Sequence, residues 1–122
     1  MKTINVSDET YETIKDQLGV DKNNYEIDGL ECVMIRTYSA GVHFGYLESR
    51  KDKEVLLCNS RRVWYWDGAA SLSQLAMEGT KLPSICKISC IVNKIILTEA
   101  IEVISMTKVS INNLYGVKEW KR

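Results

Sequence analysis

The sequence predicts an α+β fold: an antiparallel β-sheet of hairpins and meander strands, with two to three short helices packed on it. Three observations predict it. The stretch 30–66 is rich in β-formers and is broken by two turn signals, Ser39-Ala40-Gly41 and Lys51-Asp52-Lys53. A second β-rich stretch, CKISCIVNKIILTEAIEVISMT, follows the only proline, Pro83. Short segments with apolar residues at helical spacing and capping residues at their ends lie before, between and after them. Such a pattern buries its apolar faces as a sheet with helices against it. At 122 residues the chain reads as one domain, 1–122. That length can bury about two-thirds of the unfolded surface, so folding needs no metal or disulfide staple.

Taken in order, Lys2 to Val6 alternates and reads as an edge strand. Ser7 is an N-cap with Asp8 and Glu9 in the first turn, and Tyr11, Ile14 and Leu18 share one face up to a stop at Gly19. LECVMIRTY and VHFGYLES form a hairpin about Ser39-Ala40-Gly41. EVLLCNS and RRVWYW then read as a third and a fourth strand of the meander. Ala69 to Met77 is a helix, capped by Ser71 or Asp67 and ended at Gly79. Asn93-Lys94 is read as a tight turn in the second β-rich stretch. KVSINNLYGVKEWKR ends the chain as a short helix or coil. Its Ile111, Leu114, Tyr115 and Trp120 are too apolar for water, so they cover the body or a partner subunit. A homodimer is the expected assembly.

Composition narrows the function. Sixteen basic side chains balance sixteen acidic ones, which leaves no general field toward nucleic acid or membrane, so an anion site must be a local cluster. No apolar run approaches the length of a membrane span, and MKTINVSDET has no signal-peptide core. Cys32, Cys58, Cys86 and Cys90 lie among apolar residues at spacings that match no metal motif. They read as buried free thiols of a reducing cytoplasm. No metal or other cofactor is expected. The single histidine, His43, stands in a strand without a nucleophile elbow, and there is no Walker loop, so catalysis is not expected either.

The segment Arg36–Leu72 carries the candidate site. Arg61 and Arg62 abut Trp64-Tyr65-Trp66. Guanidinium forks read planar anions, and indole faces stack on flat rings. Neighbours in a strand face opposite sides, so one arginine shares a face with Tyr65 and the other with Trp64 and Trp66. The pattern alone does not choose which one lines a pocket, and it suits a tryptophan core with arginines bridging acidic neighbours equally well. Arg36, Tyr38, Ser39 and His43 lie on the adjoining hairpin, whose small-residue turn exposes backbone N–H groups as anion-contacting turns do. The same features describe an ordinary tight turn. Gly68 to Ser71 opens a helix, whose N-terminus adds donors for a phosphate.

These residues also carry a resemblance. RTYSAGVHFGYL, SRRVWYWDGAASLSQLAMEG and KIILTEAIEVI resemble a family of small bacteriophage and prophage proteins whose usual form is TYSAGVHFGYL, ARRIWYWKGAASLSQLAVEG and IILTEAIEI. The likeness runs from Arg36 to Ile104. Ser60, Val63, Asp67 and Met77 depart from it, and Asp67 stands where the usual lysine would add a positive charge. The family is similar in turn to phage proteins of the Thoeris anti-defence kind. That implies a small oligomeric protein of the host cytoplasm that sequesters a cyclic ADP-ribose signal (gcADPR type) without cleaving it. The alternative is a phage accessory protein that binds single-stranded DNA or a host protein.

Overall fold

A computed structural model of the chain describes residues 26–121. β1 (Glu31–Thr37), β2 (Val42–Lys51) and β3 (Glu54–Tyr65) are followed by α1 (Leu72–Glu78), a 3-10 turn (Pro83–Ile85), β4 (Lys87–Ile88), β5 (Val92–Leu97), β6 (Ala100–Ser105) and α2 (Lys108–Tyr115). The six strands make one antiparallel sheet in the order β4-β3-β2-β1-β6, with β5 pairing β3 beside β4. The fold is α+β, with two α-helices among the described residues. The strand read at Lys2–Val6 and the helix read at Tyr11–Leu18 lie outside them.

The hairpin expected about Ser39-Ala40-Gly41 is present, with Arg36 opposite Val42 and Glu31 opposite Leu47. Its turn is closed from inside: Thr37 Oγ1 donates to Gly41 O and accepts from Ala40 N–H, both at 2.8 Å. Gly41 takes the turn position at φ 83° that glycine adopts without steric cost. The α1 helix is capped as read, the Ser71 hydroxyl accepting from Gln74 N–H and Gly79 following its last turn.

Two readings are corrected. EVLLCNS and RRVWY are one continuous twelve-residue strand, with Trp66 just beyond its end, so the meander has three strands. The apparent break is a β-bulge: β2 advances from Phe44 to Tyr46 while β3 advances from Arg61 to Cys58, one residue more. Asn59 takes the positive φ of 50° that the bulge requires. Opposite it, a Cβ on Gly45 would lie 3.0 Å from Cys58 O and from Ser60 Cα, so the bulge fits because Gly45 has no side chain. The second correction concerns Asn93-Lys94, which lies inside β5; the turn comes at Thr98-Glu99, before β6.

Alternation along the strands feeds two separate cores. Val33, Ile35, Val55, Leu57, Leu97 and Ala100 fill the concave side of the sheet. The sheet curls far enough for Ala100 N–H, at the start of β6, to donate to Lys53 O between β2 and β3 at 3.0 Å. Cys32, Met34, Phe44, Tyr46, Val63 and Ile88 point the other way, against Leu75 of α1 and Leu114 and Tyr115 of α2. β1 is therefore buried on both faces from Cys32 to Ile35. Three of the four C-terminal apolar residues cover this chain's own body, Leu114 and Tyr115 being buried and Ile111 packed against them, whereas Trp120 stays exposed. Cys90 departs from the expected burial and is exposed. No helix among the described residues is long and apolar enough to cross a membrane.

Candidate functional site

The bulge at Asn59 sets the geometry of the site by reversing the alternation along β3. Leu57 faces the concave core, but Val63, an even number of residues on, faces the helices. Arg61 consequently points to the helix side and Arg62 to the concave side, directly opposite His43, which is itself opposite Ile35.

Arg61 is 3% exposed and its guanidinium is fully engaged. Nε donates to Ser89 O at 2.7 Å, one terminal nitrogen to Leu114 O and Tyr115 O at 3.0 and 3.3 Å, and the other to Ile88 O at 3.4 Å. Two of these acceptors are carbonyls at the C-terminus of α2, which no intrahelical donor reaches and where a cation is favoured. Arg61 is thus a clasp between the sheet, the loop after β4 and α2.

Arg62 has the opposite surroundings. Its guanidinium lies 3.7 Å from the centroid of Trp64. On its other face is Gly41, where an added Cβ would sit 3.1 Å from the nearest terminal nitrogen. The plane is held in a slot between an indole and bare backbone. Its Nε is buried without a hydrogen-bond partner. His43 lies beside it, 3% exposed, its Nε2–H donating to Ala40 O at 2.9 Å. Burial holds the His43 pKa below the ordinary histidine value, and the Arg62 charge pushes the same way against the Ala40 hydrogen bond.

Beyond Arg62 the surface continues as a row. Trp64, 52% exposed, has its ring centroid 6.2 Å from that of Trp120, 41% exposed, at a 59° tilt. Lys87 Nζ stands 5.5 Å over Trp120. The last residues are laid down as a short strand continuation, with Trp120 N–H donating to Ile88 O at 2.8 Å. Two cations and two indoles therefore form an open platform, Arg62–Trp64–Trp120–Lys87.

The other expected site residues are placed elsewhere. Trp66 leaves the face it was read to share with Trp64, packs against the helix-side core and donates from Nε1 to Ala69 O at 3.3 Å. Arg36 pairs with Glu102 at 2.8 Å. Tyr38 is exposed at the turn, and the Ser39 hydroxyl donates to Glu99. Two N–H groups of that turn, those of Tyr38 and Ala40, are already engaged, so it is not the bare donor cradle that was expected. Ser71 caps α1, which packs on the helix side of the sheet. Lys87 and Trp120 were not read as site residues. Trp120 was legible only as a large apolar residue near a terminus, and Lys87 carried no signal.

A cavity of about 430 Å³ lies on the helix side, lined by Arg61, Cys90, Ile91, Tyr115, Val117 and Glu119. Burial pushes the Cys32 thiol up to about 12, and the hydrogen bond that Cys58 gives to Glu48 at 2.9 Å raises that thiol as well. Neither is a thiolate at neutral pH, the form in which cysteine attacks. Among the described residues no group of three metal-capable side chains gathers.

Residues 30–114 match the family model described as Domain of unknown function (DUF6948). No curated protein and no solved structure matches the chain.

Proposed function

The chain belongs to the DUF6948 family, and we propose that it is a capture protein, which binds a small, flat, anionic ligand of the nucleotide kind and holds it without chemical change. The observation that carries this reading is Arg62. It is a permanent cation held flat between Trp64 and Gly41, with no protein acceptor for its Nε. A buried donor left without a partner is costly, and a preorganised guanidinium offers an oxyanion two parallel charge-assisted hydrogen bonds. The exposed indoles beside it supply stacking area for a base.

The raised pKa values of Cys32 and Cys58 and the engaged, neutral His43 support capture rather than turnover. The resemblance to phage anti-defence proteins points to a cyclic ADP-ribose isomer as the ligand and the host cytoplasm as the place of action. The proposed assembly is a homodimer, supported by apolar side chains left at the surface, Ile96, Ile101 and Val109 among them. Light scattering coupled to size exclusion checks that, and a monomer at micromolar concentration refutes it.

Native mass spectrometry of the protein, purified from cells that express an active TIR-domain signal synthase, tests the ligand. A bound nucleotide that is released unchanged on heating and absent from Arg62→Ala is the expected result. Recovery of a hydrolysed product would make the protein an enzyme.

A second reading is favoured by one feature: the aromatic row is open rather than enclosed. Open rows of indoles and cations also stack single-stranded nucleic acid. On that reading affinity grows with oligonucleotide length and falls steeply with salt.

A further inference from the structure

We infer that the row is a two-ended clamp for a nucleotide carrying two separate phosphates, one taken by Arg62 and the other by Lys87. The inference rests on the nucleotide-binding reading and replaces its cyclic ADP-ribose ligand, whose two phosphates are joined in one diphosphate, with a nucleotide whose phosphates stand apart.

The slot around Arg62 restricts how a ligand can arrive. One face of the guanidinium is covered by Trp64 at 3.7 Å and the other by Gly41. A ring cannot stack on it. Nε is buried, so the terminal nitrogens are the edge left to an oxyanion lying in the guanidinium plane. The same contact removes one face of Trp64 from any base.

The two indoles restrict the ring in turn. A base intercalated between parallel rings needs about 3.5 Å on each side, or roughly 7 Å in all. Trp64 and Trp120 are 6.2 Å apart and tilted by 59°, so nothing flat enters between them. A base must lie across their exposed outer surfaces. It then has the Arg62 fork on one side and the Lys87 ammonium, 5.5 Å over Trp120, on the other. Cations at both ends of one aromatic platform match a ligand whose anionic groups flank its ring. A single terminal phosphate satisfies only one of them. Arg36, Lys94 and Lys121 are held by Glu102, Glu48 and Glu119, whereas the Lys87 ammonium lies over the Trp120 ring.

Isothermal titration of the full-length protein with adenosine 5′-monophosphate and with adenosine 3′,5′-bisphosphate tests the clamp, together with Arg62→Ala and Lys87→Ala. The bisphosphate should bind about tenfold or more tightly than the monophosphate, the scale of one added charge-assisted contact. Lys87→Ala should remove that advantage, leaving the two ligands with equal affinity, while Arg62→Ala should weaken both ligands. Equal affinities for the two ligands in the wild type, or an advantage that survives Lys87→Ala, overturns the clamp and leaves nucleotide binding standing. Wild-type protein that binds neither ligand overturns the clamp, and nucleotide capture is then decided separately by the native mass spectrometry.

Discussion

Arg61 and Arg62 are consecutive residues of one strand, and their surroundings differ in every respect that matters to a guanidinium. Arg61 is sealed on the helix side and donates to four backbone carbonyls. Arg62, on the concave side, is held between a ring and a glycine and has no acceptor for its Nε. Identical chemistry thus does two jobs. On one face the fork completes the interior by satisfying the end of α2. On the other it is positioned and left open. A fully engaged arginine belongs to stability, and an idle one held rigidly is what the capture proposal asks of a binding group.

The sharpest way to break this contrast is Arg61→Ala. Removing the clasp takes the Arg61 donor from the carbonyls of Ser89 and Tyr115, while Ile88 O and Leu114 O keep the N–H groups of Trp120 and Val117, and a loss of about 3 kcal/mol is expected in urea unfolding. Arg61→Lys should recover little, because an ammonium has no planar fork. A variant as stable as wild type would show that Arg61 is no clasp.

Arg62→Ala should do the reverse. The stacked contact with Trp64 is worth about 0.5–1 kcal/mol at an exposed site, so the unfolding midpoint barely moves. Nucleotide affinity should fall roughly tenfold to a hundredfold by calorimetric titration. Small, equal effects of the two substitutions on binding would remove Arg62 from the site.

Gly45→Ala tests what separates the two arginines. Its methyl would press on backbone of the bulge at Cys58 and Ser60, an overpacking that costs about 1–3 kcal/mol. Because the bulge aims Arg62, binding should weaken along with stability. Lost stability with intact affinity would mean that Arg62 is held without the bulge.

The smallest effect concerns pH. His43 has its pKa lowered in the folded state, so between that value and the unfolded value of 6.5 the unfolded chain binds more protons. Its contribution is fully present above pH 6.5 and declines as pH falls toward the folded pKa, by at most about 1.4 kcal/mol per pH unit. The urea midpoint of wild type should therefore drop between pH 7.5 and 5.5 more than that of His43→Asn. Parallel drops would place the proton uptake elsewhere.

Local patterns foretold much of this. The Ser39–Gly41 hairpin and the capped helix from Leu72 to Glu78 were legible, because turn chemistry and capping act within a few residues. The Thr98-Glu99 turn was missed because it carries neither glycine nor proline. The continuity of β3 was missed because a bulge resembles a break: both interrupt the alternation, and only pairing across to β2 distinguishes them. Trp66 was placed with Trp64 by counting two residues, but β3 ends at Tyr65 and the count stops applying.

By itself the sequence determined the fold class, most of the strands and the rule that Arg61 and Arg62 must face apart, since a period of two is a property of the extended backbone. Tertiary structure decided which of them faces the open platform. That choice rests on one extra residue at Asn59, on the space left by Gly45 across the pair, and on Tyr115, whose hydroxyl donates to Asn59 O at 2.5 Å from 56 positions further along the chain. It also rests on Trp120, brought to Trp64 from the far end of the chain. Alternation sets relative faces; absolute faces come from what packs against them, and here those partners are distant in sequence.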